Sequence, residues 1–261
     1  MKIKFIFICC LSLVITSLQA QDKSQYKKEI FTVNNDTLPY RILLPQHYDA
    51  LKKYPLILVL HGAGERGNDN ESQLVHGSTL FLRDSILEKY PAIVVFPQCP
   101  ASSFWSNVKF EQDASGKRGF NFQSKGAPTI AMDMAQQLLK KIIHDYPVNK
   151  KQIYVGGLSM GGMGTFEIVR RNPKLFAAAF PICGGAEPST ATKLKRVKWW
   201  VFHGAADDAV PPELSVKMVD ALKAANAEVK FSLYPEVKHN SWDNAFAEPT
   251  FLSWLFSNSK N

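Results

Sequence analysis

Short apolar runs alternate with stretches of helical spacing along most of this chain. Residues 56–60, 92–96, 153–155, 176–182, 197–202 and 229–234 are brief runs rich in aliphatic and aromatic side chains, and they predict buried strands. Residues 129–146, 160–171 and 213–225 place apolar side chains every three or four positions, which predicts helices, and residues 241–256 predict a closing helix. Ahead of them, residues 29–33 and 38–44 flank Asn34-Asn35-Asp36, a hairpin signal. An opening antiparallel pair followed by strand–helix alternation predicts an α/β fold, with a mostly parallel central sheet, antiparallel N-terminal strands and helices on both faces. Ligands on such sheets sit at the carboxyl ends of the strands, so the loops after strands are where chemistry is expected.

The first residues follow a different pattern. Lys2 and Lys4 precede an apolar run over residues 5–18, and Leu18-Gln19-Ala20 can serve as a cleavage site, so residues 1–20 are expected to be an export signal. The run is shorter than the roughly 20 residues of a membrane-spanning helix. Export to a periplasmic or extracellular space follows, with no integral membrane segment after cleavage. The remaining residues, 21–261, contain no repeat, low-complexity tract or linker and are expected to form one domain. A chain of this size buries roughly three quarters of its unfolded surface and needs no disulfide staples. Cleavage removes Cys9 and Cys10 and leaves Cys99 and Cys183, which are expected to be free, half-buried thiols without a metal-ligand spacing. The formal charge of +8 comes from scattered lysines and arginines with no recognised binding motif, which speaks against a nucleic-acid partner. No cofactor and no metal is expected, and the oligomeric state stays open.

Gly157-Leu158-Ser159-Met160-Gly161 follows one expected strand and opens an expected helix, the setting of a nucleophile elbow. A tight strand-to-helix turn needs glycines near the serine and holds its hydroxyl above the sheet, where the helix N-terminus favours developing negative charge. A hydroxyl needs a base, and the base an orienting acid. After residues 197–202 comes His203-Gly204-Ala205-Ala206-Asp207-Asp208-Ala209-Val210-Pro211, and after residues 229–234 comes Pro235-Glu236-Val237-Lys238-His239. His239 is the last histidine of the chain and the expected base. Asp207 is the expected acid, with Asp208 left solvated or capping the helix near Pro212. The oxyanion of a tetrahedral intermediate requires two donors. The backbone N–H of Met160 is expected to be one and that of Ala63 the other, with Gly64 as fallback. His61 is expected to be structural, and Glu65 and Arg66 to pair with each other, with lining the site as the alternative.

The set Leu60-His61-Gly62-Ala63-Gly64-Glu65-Arg66-Gly67, Gly157-Leu158-Ser159-Met160-Gly161-Gly162, the 203–211 loop and His239-Asn240-Ser241-Trp242 resembles the small secreted α/β-hydrolases. These are grouped with feruloyl-esterase-like carboxylesterases and with prolyl-oligopeptidase-family (S9-like) hydrolases. The resemblance spans nearly all of residues 21–261 and implies hydrolysis of carboxylic esters through an acyl-serine. A peptidase or acylaminoacyl hydrolase is the alternative, and a catalytically silent binding protein on the same scaffold a second.

Two regions are expected to shape specificity. Residues 97–128 form a long connection with little periodicity, carrying Phe104, Trp105, Phe110, Phe120 and Phe122. Loops of this length in compact domains are commonly functional. Trp105 and Phe104 are the candidate substrate contacts, stacking on a sugar or phenolic acyl group, with anchoring of the loop as the competing role. Residues 183–196 are too few for a large helical lid. The expected substrate is a small-molecule or polysaccharide-linked ester, with feruloyl or acetyl groups on carbohydrate foremost.

Overall fold

The computed structural model describes residues 22–112 and 118–260. The expected export signal lies outside the described residues. Among them, no helix is long and apolar enough to cross a membrane.

β1 (Lys27–Val33) and β2 (Asp36–Leu43) form the opening antiparallel hairpin. Asn34 and Asn35 both adopt positive φ, 48° and 71°, a two-residue turn whose twist matches that of the flanking strands. β3 (Tyr54–Leu60), α1 (Asp84–Lys89) and β4 (Ile93–Pro97) follow, then a small hairpin of β5 (Val108–Gln112) and β6 (Arg118–Phe122). α2 (Ile130–Asp145), β7 (Val148–Leu158), α3 (Met160–Arg171), β8 (Ala178–Ile182), α4 (Ala191–Leu194), β9 (Lys198–Gly204), α5 (Glu213–Ala224) and β10 (Val229–Tyr234) continue the alternation, closed by α6 (Trp242–Ala247) and α7 (Phe251–Ser257).

The main sheet runs β1-β2-β4-β3-β7-β8-β9-β10, antiparallel among its first three strands and parallel from β4 to β10. Alternation along the buried strands splits the core in two. Leu56, Leu58 and Leu60 of β3 join Leu138 of α2 and Phe166 of α3 on one face. Ile57 and Val59 join Leu82, Phe251 and Leu255 on the other. Thr129 opens α2 by accepting the Met132 N–H on its side chain, so the helix begins where its apolar stripe does.

Two expectations are corrected here. Residues 241–256 form two helices instead of one. Glu248 is extended (φ −61°, ψ 117°) because the Pro249 ring disfavours helical backbone before it, and Pro249 has no N–H to continue the ladder. The 97–128 connection is not irregular throughout, since β5 and β6 pair within it and set Phe110 opposite Phe120. The aromatic alternation that makes this pairing is split by the polar residues 111–119, which hid it in the sequence. As expected, only the short α4 and a 3-10 turn over Pro188–Thr190 occupy the 183–196 region.

Candidate active site

β7, β8, β9 and β10 are successive parallel strands of the sheet, so the loops leaving the carboxyl ends of β7, β9 and β10 emerge on one side. Ser159 sits in the one-residue turn between β7 and α3, with φ 52° and ψ −116°, a conformation an L-residue holds only when its surroundings impose it. The surroundings are close-packed. A Cβ on Gly157 would lie 2.4 Å from the Leu60 carbonyl oxygen, and one on Gly161 1.9 Å from it. The two flanking glycines therefore let the elbow press against the end of β3. The Ser159 N–H donates to Ile182 O (2.9 Å), tying the turn to β8 as well.

The structure brings the three widely separated candidate side chains into one row. Ser159 Oγ lies 3.0 Å from His239 Nε2, and His239 Nδ1 donates to Asp207 Oδ2 at 2.7 Å. The His239 side chain is 26% exposed and that of Asp207 is not exposed at all, so the row runs from solvent inward. Asp208, by contrast, is exposed. Asp207 Oδ1 accepts the N–H groups of Ala209 and Val210, both at 2.9 Å. Burial pulls the Asp207 carboxyl upward, but the bonds from His203, His239 and Val210 outweigh it and hold the group well below the usual carboxylate range. It is therefore a fixed negative charge beside the imidazole.

Two groups that shape this row were not found in the sequence. His203, fully buried at the end of β9, has Nε2 3.2 Å from Asp207 Oδ2, so the same oxygen faces two imidazoles. Its Nδ1 lies 2.7 Å from Ser215 Oγ, which pins the ring. The Trp242 ring meets the His239 ring edge-on at 5.4 Å. The initial histidine of the 203–211 loop was the available signal for His203, and the His239-Asn240-Ser241-Trp242 segment was the one for Trp242.

The loop that follows β3 lies against Ser159, since a Cβ on Gly62 would stand 3.7 Å from Ser159 Cβ. Among the described residues, neither the Met160 nor the Ala63 N–H donates to another protein group, which leaves both available at the first positions of α3 and of the 63–65 turn. His61 is buried beneath: its Nε2 accepts the Cys99 N–H (2.9 Å), and burial lowers its pKa to about 4, so it is neutral.

Three expectations about neighbouring residues change. Glu65 does not pair with Arg66. Its carboxylate faces His76 (3.7 Å) and His61 (4.0 Å), while Arg66 turns the other way to the carbonyls of Ala63, Ala101 and Ser103. Trp105 is no surface platform, because it is 0% exposed, donates to His61 O at 3.2 Å and packs on Gly164. It anchors the loop from below, while Phe104 beside it stays partly exposed. Cys99 and Cys183 are free, as expected, but fully buried instead of half-buried. Burial pushes the Cys99 thiol up to about 12 and the Cys183 thiol further.

Cys183, Asp207 and His239 offer one ligand atom each within 4.8 Å of one another. Both Asp207 oxygens already accept donors from Ala209, Val210, His239 and His203, so this cluster is built around hydrogen bonds and fits a metal poorly.

A sheet of this order, with a strained serine after its central strand and an acid and a histidine after later ones, defines the α/β-hydrolase fold. A solved thermostable esterase shares it with 31% identity and a TM-score of 0.82, over 91% of this chain and 64% of that one. The family model described as "Putative esterase" matches residues 32–242, and the chain belongs to that family. Its curated relatives include the bifunctional acetylxylan esterase/xylanase XynS20E of Neocallimastix patriciarum, 26% identical over 60% of this chain and 20% of that protein. The endo-1,4-beta-xylanase/feruloyl esterase of Xylanibacter ruminicola is 28% identical over 70% of this chain and 24% of that protein. The chain thus spans about a quarter or less of these two relatives.

Proposed function

We propose that the protein is an exported carboxylic ester hydrolase that removes acyl groups from carbohydrate through an acyl-serine. The observation that carries the reading is the continuous hydrogen-bonded row from Ser159 through His239 to Asp207 at a strained elbow. In this reading residues 1–20 direct export and residues 21–261 form one catalytic unit. The feruloyl and acetylxylan esterase names borne by relatives support carbohydrate as the carrier of the ester.

The chemistry follows from the geometry. His239 Nε2 takes the Ser159 proton as Oγ attacks the ester carbonyl carbon, and the Asp207 carboxylate steadies the imidazolium through Nδ1–H. The carbonyl oxygen becomes an oxyanion, held by the Met160 and Ala63 N–H groups at the mouth of α3 and the Ala63 turn. As the tetrahedral centre collapses, His239 gives its proton to the departing alcohol oxygen, leaving the acyl group on Ser159. Water then enters, His239 removes its proton, and hydrolysis of the acyl-serine releases the acid and restores the hydroxyl.

A fluorophosphonate probe and a panel of acylated saccharides test this together. Ser159 labelling that disappears in Ser159→Ala, with acid release from feruloylated or acetylated saccharides, is the expected result. Labelling without turnover of any ester would remove the esterase reading, and absence of labelling would remove Ser159 as nucleophile.

A further inference from the structure

Arg66, at the end of the loop that follows β3, also lines a second feature that contains none of Ser159, Asp207 and His239. An open cleft of about 610 Å³ runs between Arg66, residues 102–110, Gln123, Lys125 and the start of α2. Its floor is aromatic. Phe104 and Phe110 meet edge-to-face at 5.2 Å, and Phe110 continues to Phe120 at 5.6 Å. Phe110 (46% exposed) and Ile130 (62% exposed) both line this cleft, so apolar surface is left open to water along it.

The charges of the cleft have one sign. Arg66, Lys109 and Lys125 line it, and no carboxylate does among the described residues. Arg66 is held in place. Its Nε donates to Ala63 O (3.0 Å), its Nη1 to Ala101 O and Ser103 O (both 3.2 Å), and its guanidinium stands 5.9 Å from the centre of the Phe104 ring. Its Nη2 has no protein partner among the described residues, and neither Lys109 nor Lys125 makes an ion pair there. A fixed cation with a free edge, two exposed ammonium groups, and hydroxyls and amides from Ser102, Asn107 and Gln123 surround flat aromatic faces.

We propose that this cleft binds a uronate-bearing segment of polysaccharide, with sugar faces on Phe104 and Phe110 and sugar carboxylates on Arg66, Lys109 and Lys125. Aromatic faces accept the C–H side of a pyranose ring, and the planar guanidinium fork matches a carboxylate. A neutral glycan or a phenolic acyl group would use the rings but leave the three cations unanswered. Arg66 Nε donates to Ala63 O, so the cleft borders the loop that packs on Ser159, and an ester on the bound chain or a neighbouring branch would lie near the site. The proposal rests on the carbohydrate-esterase reading, but its test measures binding alone.

Affinity electrophoresis of residues 21–261 through gels containing polygalacturonate, neutral arabinoxylan or neither separates the possibilities. Polygalacturonate is expected to retard the protein more than arabinoxylan, and added salt to reduce the difference. Lys109→Ala with Lys125→Ala should weaken polygalacturonate binding about five- to tenfold. Lys150→Ala with Lys151→Ala removes equal charge at the opposite end of β7 and should leave binding unchanged. Phe104→Ala should weaken retention by both glycans; unchanged unfolding midpoints in all variants verify the fold. Equal losses from both lysine pairs would overturn the proposal in favour of general basicity. Stronger retention by arabinoxylan would overturn it in favour of a neutral glycan. Retention by duplex DNA that is lost with the same two lysines would overturn it in favour of a generic polyanion surface. Loss of fluorophosphonate labelling or ester turnover, with glycan binding intact, would instead strike the esterase reading and leave this one standing.

Discussion

The loops bearing Ser159, Asp207 and His239 and the excursion over residues 98–129 leave the same end of the sheet, yet they are built in opposite ways. The first set is locked by backbone. Ser159 is tied to Ile182 O, Asp207 receives two amides of its own loop, and the flanking glycines leave no room for a side chain. The excursion is held by the buried Trp105 and by side chains that reach its backbone, Arg66 to Ala101 O and Ser103 O and Arg170 to Ser124 O, and it spreads exposed aromatic and cationic side chains over the surface. In the proposed mechanism, groups that must hold a proton path are fixed by main-chain bonds, whereas the groups proposed to meet a polymer are exposed side chains of the 98–129 excursion and Arg66.

Substitutions can break this contrast. His239→Ala should cost about 10⁴-fold or more in kcat on any ester turned over, with little change in the urea midpoint, because the imidazole is partly exposed. A turnover loss below tenfold would place the base elsewhere. Trp105→Ala should lower stability by roughly 3–5 kcal/mol, as truncation of a buried aromatic does. If its urea midpoint stays fixed while only KM rises, the tryptophan is a substrate contact after all.

Acid tests the backbone-locked half. The folded-state pKa of His61 is lowered to about 4, so the unfolded chain binds its proton more readily. Stability from this group is present above the ordinary histidine pKa and is lost as pH falls from about 6.5 to 4, a change of about 3 kcal/mol. Asp207, whose folded pKa is also depressed, adds a loss of the same sign below the ordinary carboxylate range. Urea unfolding across pH 7 to 4 should show the midpoint falling, and His61→Asn should flatten the upper part of that fall. Smaller still is the expected effect of Phe104→Ala, a rise of a few-fold in KM for polymer-linked esters with less than about 1 kcal/mol of stability lost. Equal KM for polymer-linked and free esters in that variant would return Phe104 to packing. Thiol titration should find Cys99 and Cys183 silent in the native protein and both reactive in denaturant.

Much of this was local in the sequence. Strand and helix order followed from apolar period, and the G-x-S-x-G turn and the 203–211 loop announced where polar chemistry leaves the sheet. Those features are readable because they depend on residues a few positions apart. The break at Glu248-Pro249 is equally local, but the apolar spacing continues across it and masks the proline.

What only the tertiary structure decided depends on which surfaces meet. His203 shares an Asp207 oxygen with His239 because β9 and β10 are neighbours, and Trp105 is buried because α3 offers a glycine for its ring. Arg66 and Glu65, adjacent in the chain, face different partners because the turn at Ala63–Glu65 sends consecutive side chains apart. A sequence fixes the period of its own elements through short-range sterics and solvent avoidance. Burial of a ring, the neighbour of a charge and the walls of a cleft are set by segments distant in the chain, and they exist only once the sheet has closed.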